Sequence, residues 1–188
     1  VGLYVSPSDK VLEIAGNTVN NETVTFTGTT WTTTRQLYWD AGTYNAYAYY
    51  PRLDNIISIS DLPFEISLDQ SATTTDALSN YEASDFLYAS SRGVTASANP
   101  VSLQFRHIMS KISIRLIKGE DFEGELPDKA TVYIHNTVTS ATIDLAAGVA
   151  TKAARGERKS VIARQDGPTT YSAILVPQRL SLIHISEP

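Results

Sequence analysis

Three histidines, no cysteine and a crowd of four carboxylates are the side chains of this 188-residue chain that could do chemistry. His107 falls on the apolar parity of an alternating stretch, where an imidazole could pair with a carboxylate or ligate a metal. The structural reading is favoured: a core or boundary histidine hydrogen-bonded to backbone. His135 falls on the parity opposite Val132 and Ile134 and is expected to be exposed. No H-E-x-x-H or H-x-x-E-H spacing supports zinc. The missing cysteines remove disulfides, thiolate metal sites and a cysteine nucleophile. Glu120, Asp121, Glu123 and Glu125 could in principle supply a glycosidase pair. Such a pair flanks the scissile bond and keeps one acid in an apolar pocket that raises its pKa. Four acids on one turn read instead as a solvated acidic loop. A G-x-S-x-G elbow, a D-x-D-x-D-G calcium loop and a G-x-x-x-x-G-K phosphate loop are all lacking. No catalytic, metal or cofactor-binding residue is assigned, no cofactor is expected, and the chain is read as not an enzyme.

Aromatic residues are the remaining candidates. Trp31, Tyr38, Trp39, Tyr44, Tyr47, Tyr49 and Tyr50 crowd one region, and aromatic faces can stack on sugar rings. A glycan platform of Trp31, Trp39, Tyr47 and Tyr49 is therefore the alternative reading. Alternating aromatics on paired strands are more simply core and cross-strand packing.

The element that must position these side chains is Val101–Leu116, VSLQFRHIMSKISIRL. Val101, Leu103, Phe105 and His107 share one parity, and Ile112, Ile114 and Leu116 share the other. Period-2 alternation marks a half-buried strand, and a one-residue slip sends every side chain to the opposite face. A bulge or a crossing between sheets near His107–Ser110 must absorb the extra residue. Around this stretch the chain reads as all-β, with a sandwich or barrel as the default. Val1–Val5 is a short apolar run ended by the turn cluster Ser6-Pro7-Ser8-Asp9, and Val19–Phe26 reads as a strand with Val24 and Phe26 inward. Trp31–Trp39 and Thr43–Tyr50 read as a hairpin joined by Asp40-Ala41-Gly42. TYNAYAYY (Thr43–Tyr50) suits a strand packed on both faces, and Pro51 ends it. Ile56–Ile59 and Phe64–Leu68 are split by Asp61-Leu62-Pro63. Asp69–Asp85 reads as a polar surface loop with one helical turn around Asp76–Tyr81. Ser90–Pro100 suits a linker. Thr131–His135, Ala141–Leu145, Ser160–Ala163 and Thr170–Val176 are further strands. The basic cluster Lys152, Arg155, Arg158 and Lys159 reads as a solvated loop.

A net charge of −5 opposes binding to a nucleic-acid backbone. No run approaches the roughly 18 apolar residues of a membrane-spanning helix.

Four separated segments resemble one family, the fimbrillin-like proteins of Bacteroidales. Phe105–Ile112 (FRHIMSKI) is similar to its F-x-H-x-x-S-K-(I/V) signature through Phe105, His107, Ser110 and Lys111. Ala48-Tyr49-Tyr50-Pro51 resembles its A-Y-Y-P strand end. Asp85–Ala89 (DFLYA) resembles its D-L-L-Y-A segment, carried by Asp85 and Tyr88. Tyr171–Gln178 (YSAILVPQ) resembles its late strand, which ends in the Pro177-Gln178 pair. The resemblance implies two tandem transthyretin-like β-sandwich domains at residues 1–97 and 98–179, the second truncated. It also implies a subunit or adhesin of surface fimbriae, exported and held at the outer membrane by a lipid anchor. Its implied partners are other fimbrial subunits, joined by strand exchange, with surface ligands or glycans as further partners. The alternative is a glycan-binding surface lipoprotein with a similar sandwich. Leu180–Pro188 (LSLIHISEP) is similar to a translated sequencing-library adapter. Together with the opening Val1 it gives the expectation of a chain cut at both ends, natively ending near Arg179.

Overall fold

The chain is all-β. The structure, a computed structural model, describes residues 1–73, 78–96 and 100–180, together with the backbone of 182–186. Among these residues the order begins β1 (Gly2–Pro7), β2 (Val19–Phe26), β3 (Trp31–Thr33), β4 (Thr43–Tyr50), β5 (Leu62–Glu65) and a helical turn α1 (Asn80–Ala83). It continues with β6 (Leu87–Thr95), β7 (Arg106–His107), β8 (Ser110–Arg115), β9 (Thr131–Val138) and β10 (Ser140–Asp144). Last come β11 (Val149–Lys152), β12 (Arg158–Ile162), β13 (Arg164–Gly167), β14 (Thr170–Leu175) and β15 (Leu182–Ser186).

The fold resolves into two compact units, neither of them one continuous stretch. The first is built from Val1–Leu62, Phe86–Ile108 and Thr142–Val149, and the second from Pro63–Asp85, Met109–Ala141 and the chain from Ala150 on. These units differ from the expected stretches 1–97 and 98–179, whose boundary lies among residues 97–99, outside the described residues.

In the first unit six strands form an antiparallel sheet in the order β3-β2-β1-β4-β6-β7. β4 lies near its centre because both parities of TYNAYAYY can be buried. Ala46 and Ala48 pair with Val5 and Leu3 on one face, and Tyr47 pairs with Tyr4 on the other. The tyrosine face is core. Tyr49 stacks between Tyr4 (centroids 6.5 Å) and Phe86 (5.7 Å, planes 8° apart). Gly2 makes this possible, because a Cβ there would come within 2.4 Å of the Tyr49 ring. Burying each such side chain is worth roughly 1.5–3 kcal/mol.

Several expectations need correction here. β3 pairs with β2 rather than with β4. The turn closed by Thr27 N donating to Thr30 O (2.9 Å) makes the two a hairpin, and the buried Glu22, accepting hydrogen bonds from Thr34 Oγ1 and, at 2.9 Å, from Arg35 Nε, ties the segment after β3 back to β2. Phe26 is exposed against the ring of Trp31 rather than inward. Ser90–Thr95, expected as linker, completes β6 and pairs with β4 as far as Thr43. Val101–Phe105 alternates in burial as a strand would, yet belongs to no strand.

The second unit holds two three-stranded antiparallel sheets, β12-β9-β15 and β13-β14-β8. Val132, Ile134 and Val161 of the first, with Tyr171, Ala173 and Leu175 of the second, are fully or almost fully buried. Gln70, expected in a surface loop, is fully buried. Its side chain donates to Ile174 O (2.7 Å) and accepts from Ile174 N (2.8 Å). β13 ends opposite Ser172, so the Gln70 amide takes the next ladder position on β14. α1 starts on a capping box: Ser79 Oγ accepts from Glu82 N, and the Glu82 carboxylate accepts from Ser79 N. Residues 74–77 of the expected helical turn lie outside the described residues. β5, β10 and β11 form a short sheet in the order β11-β10-β5. Pro63, expected between two short apolar pieces, sits inside β5, and an edge strand tolerates proline. The basic segment is partly strand, because β11 and β12 take in Lys152, Arg158 and Lys159.

Candidate functional site

The signature stretch is a crossing. β7 pairs with β6, Leu87 opposite His107 and Tyr88 opposite Arg106. Ile108 N donates to Phe86 O (3.0 Å), and Ile108 and Met109 are both buried. From Ser110 the chain runs in β8, in a different sheet. A change of sheet is therefore what absorbs the extra residue of the alternation. Phe105 is half-buried, whereas His107 is exposed, which removes the core half of the expected core or boundary position. His135 is half-buried rather than exposed, with Nδ1 2.7 Å from Ser160 Oγ and its ring stacked on Tyr133. The acidic residues Glu120, Asp121, Glu123 and Glu125 are exposed, and no metal-binding group of three or more acidic or histidine side chains occurs among the described residues.

Ser110 and Lys111 open β8, which pairs with β14 from Ser110–Leu175 to Arg115–Thr170. Leu116 N continues that ladder by donating to Thr169 O at 2.8 Å. Antiparallel ladders alternate, so the even residues of β8 bond towards β14 and the main-chain groups of Lys111, Ser113 and Arg115 point away. The sheet order leaves that side of β8 without a strand among the described residues. Beside it opens a groove of about 680 Å³, lined by Ile114, Leu116, Ile117, Phe122 and Leu126 together with the charged Arg115, Glu120 and Asp121. An unpaired edge beside a partly apolar groove can accept an extended segment: backbone groups hold it, and the apolar positions read alternate side chains.

The other signature residues hold the frame. Tyr50 closes β4, and Pro51 follows through a cis peptide bond. Asp85 N donates to Glu82 O (3.1 Å) as the chain leaves α1. Tyr88 is buried under the Arg106 guanidinium, 5.5 Å from its ring centroid, while Arg106 Nη2 donates to Gly148 O (2.8 Å). Pro177 follows the end of β14, and the Gln178 amide bonds both Val138 N (3.0 Å) and Val138 O (2.8 Å). Gln178 therefore supplies a ladder rung to β9, just beyond the stretch where β15 pairs with it.

The proposed sugar platform divides. Tyr47 and Tyr49 are buried, and Tyr49 Oη donates to Asn21 Oδ1 at 2.6 Å. Burial pushes the Tyr49 hydroxyl up to about 12, so it stays protonated as a core donor. Neither tyrosine can meet a sugar. Trp31 and Trp39 remain exposed.

With this geometry in hand, the chain compares with known proteins as follows. The family model described as fimbrillin-like matches residues 1–186, and the chain belongs to that family. Two solved structures, provisionally named as cell adhesion proteins, share the fold. The one from Bacteroides uniformis is 24% identical with a TM-score of 0.68, covering 94% of this chain and 67% of its own. The one from Bacteroides ovatus is 22% identical with a TM-score of 0.69, covering 95% and 68%. No curated protein matches the chain.

Proposed function

We propose that the chain is a non-enzymatic cell-surface subunit of a fimbria, or an adhesin attached to one, that joins other subunits by β-strand addition at the β8 edge. Membership of the fimbrillin-like family across residues 1–186 is the observation that carries this reading. The provisional naming of both structural neighbours as cell adhesion proteins supports the same role. The outward-facing backbone of Lys111, Ser113 and Arg115 supports the mode of assembly. Export to the surface follows from that role. The partner on this reading is an extended segment of another subunit, with acidic residues at alternate positions suited to Lys111 and Arg115.

The test uses two prolines. Ser113→Pro removes an N–H that points away from β14, so folding should survive while strand addition is blocked. Ile114→Pro removes a bond to β14 and should damage the fold itself. In the source bacterium, deletion of the gene should remove surface filaments in electron micrographs or lower adherence, and Ser113→Pro should reproduce that loss with a normally folded protein. Unchanged filaments and adherence in the deletion strain would overturn the fimbrial reading. Normal assembly of Ser113→Pro would overturn the β8 edge alone.

A further inference from the structure

We infer that a cavity on the Ala46–Ala48 face of the six-stranded sheet binds the hydrocarbon chain of a neutral lipid. The cavity measures about 340 Å³, within the roughly 300–1,000 Å³ of small-molecule sites. Its origin lies in the ladder. Leu3 and Val5 stand opposite Ala48 and Ala46, so each aliphatic side chain faces a methyl group and the floor stays low. One wall is Val101, Leu103 and Phe105, alternate side chains of the segment leading into β7. The other is β3 and the loop after it, with Trp31, Tyr38 and Trp39 at the rim.

The chemistry of the lining selects the occupant. Among the described lining residues no side chain is charged, the Val1 ammonium is taken up by Val24 O (3.1 Å), and the side-chain hydroxyls of Thr18, Thr33 and Tyr38 are among the few other polar groups. An anion would find no cationic side chain here, and a sugar would lack the ring of hydrogen-bonding partners its hydroxyls need. A hydrocarbon chain asks for neither. The rim is the second argument. Trp31, Tyr38 and Trp39 are 58%, 78% and 39% exposed, a cost that an isolated core does not explain. Indole and phenol rings suit a boundary where an apolar chain enters and a polar headgroup stays outside.

The chain's only two tryptophans both line the cavity, so their emission reports its occupancy directly. Monodecanoylglycerol, titrated into the full chain below its aggregation concentration, should give a saturable blue shift. Thr33→Glu, which places a charge at a half-buried lining position, should weaken that binding at least tenfold without lowering the melting temperature. If Thr33→Glu does not fold, Tyr38→Ala, at an exposed rim position, should weaken it several-fold. Three results would overturn the inference. One is no saturable shift with the lipid. Another is equal affinity in the wild type and the folded variants. The third is a saturable shift from a neutral oligosaccharide or an apolar peptide that the lipid does not displace. None of these results bears on the β8 edge.

Discussion

Tyr49 and Trp31 belong to the same sheet and the same residue class, yet one is 1% and the other 58% exposed. Tyr49 sits on β4, one of the two central strands, where both faces are covered and its ring meets Tyr4 and Phe86. Trp31 opens β3 at the edge, where Phe26 gives it one exposed neighbour at 5.1 Å. Aromatic residues placed by a period-2 pattern thus take opposite roles according to the position of the strand in the sheet. Central aromatics carry stability, while edge aromatics are free to meet something else.

The sharpest test of that contrast replaces one ring from each region. Phe86, with no exposed surface, should cost about 3–5 kcal/mol on conversion to alanine. Trp31→Ala should stay within about 0.5 kcal/mol, as surface substitutions usually do. Urea unfolding of the two variants decides it, and a comparable loss in both would make the rim part of the core. A smaller effect concerns the backbone that presses on the tyrosine face. Gly148 has φ +68°, and a Cβ there would lie 2.1 Å from the ring of Tyr88. Gly148→Ala should cost about 2–4 kcal/mol, combining a left-handed backbone with overpacking. Gly16, with φ +84° and nothing within 4 Å, is the control: Gly16→Ala should show only the backbone part, about 1–2 kcal/mol. Thermal melts of the pair measure the difference, and equal losses would remove Tyr88 from the account.

The sequence carried the central strands because local alternation suffices there. TYNAYAYY has apolar residues on both parities, and the parity change in Val101–Leu116 locates the crossing to within two residues of Ile108–Met109. Most of what stayed hidden depends on partners far along the chain. Gln70 looked like loop polarity, but its amide answers Ile174, 104 residues away. β3 looked like the partner of β4, but the short Thr27–Thr30 turn returns it to β2, a local pairing that the reading passed over. The division into units is again non-local, since each unit gathers three separate segments. In the candidate assembly site the residues of β8 were legible as a strand. Its place at an edge was not, because edge status depends on where β13 and β14 go.

The smallest expected effect tests how the tryptophan rim is held. Thr34 and Arg35, between Trp31 and Trp39, reach the Glu22 carboxylate. Burial opposes the charge on Glu22, but the hydrogen bonds from Thr34 and Arg35 together outweigh it and hold the carboxyl below its usual range. A carboxylate whose folded pKa is depressed stabilises the fold fully above its unfolded pKa. That stabilisation fades as pH falls through the lower, folded value. Arg35 is 60% exposed, so solvent screens the pair and its worth is at most about 1 kcal/mol. Tryptophan emission should therefore shift to the red on acidification, in a transition below the ordinary carboxylate range, before the far-ultraviolet signal changes. Glu22→Gln should show the shifted emission already at neutral pH and no such transition. An acid transition that persists unchanged in Glu22→Gln would mean that another group holds the rim, and the contrast between a rigid tyrosine face and a tethered tryptophan edge would need a different anchor.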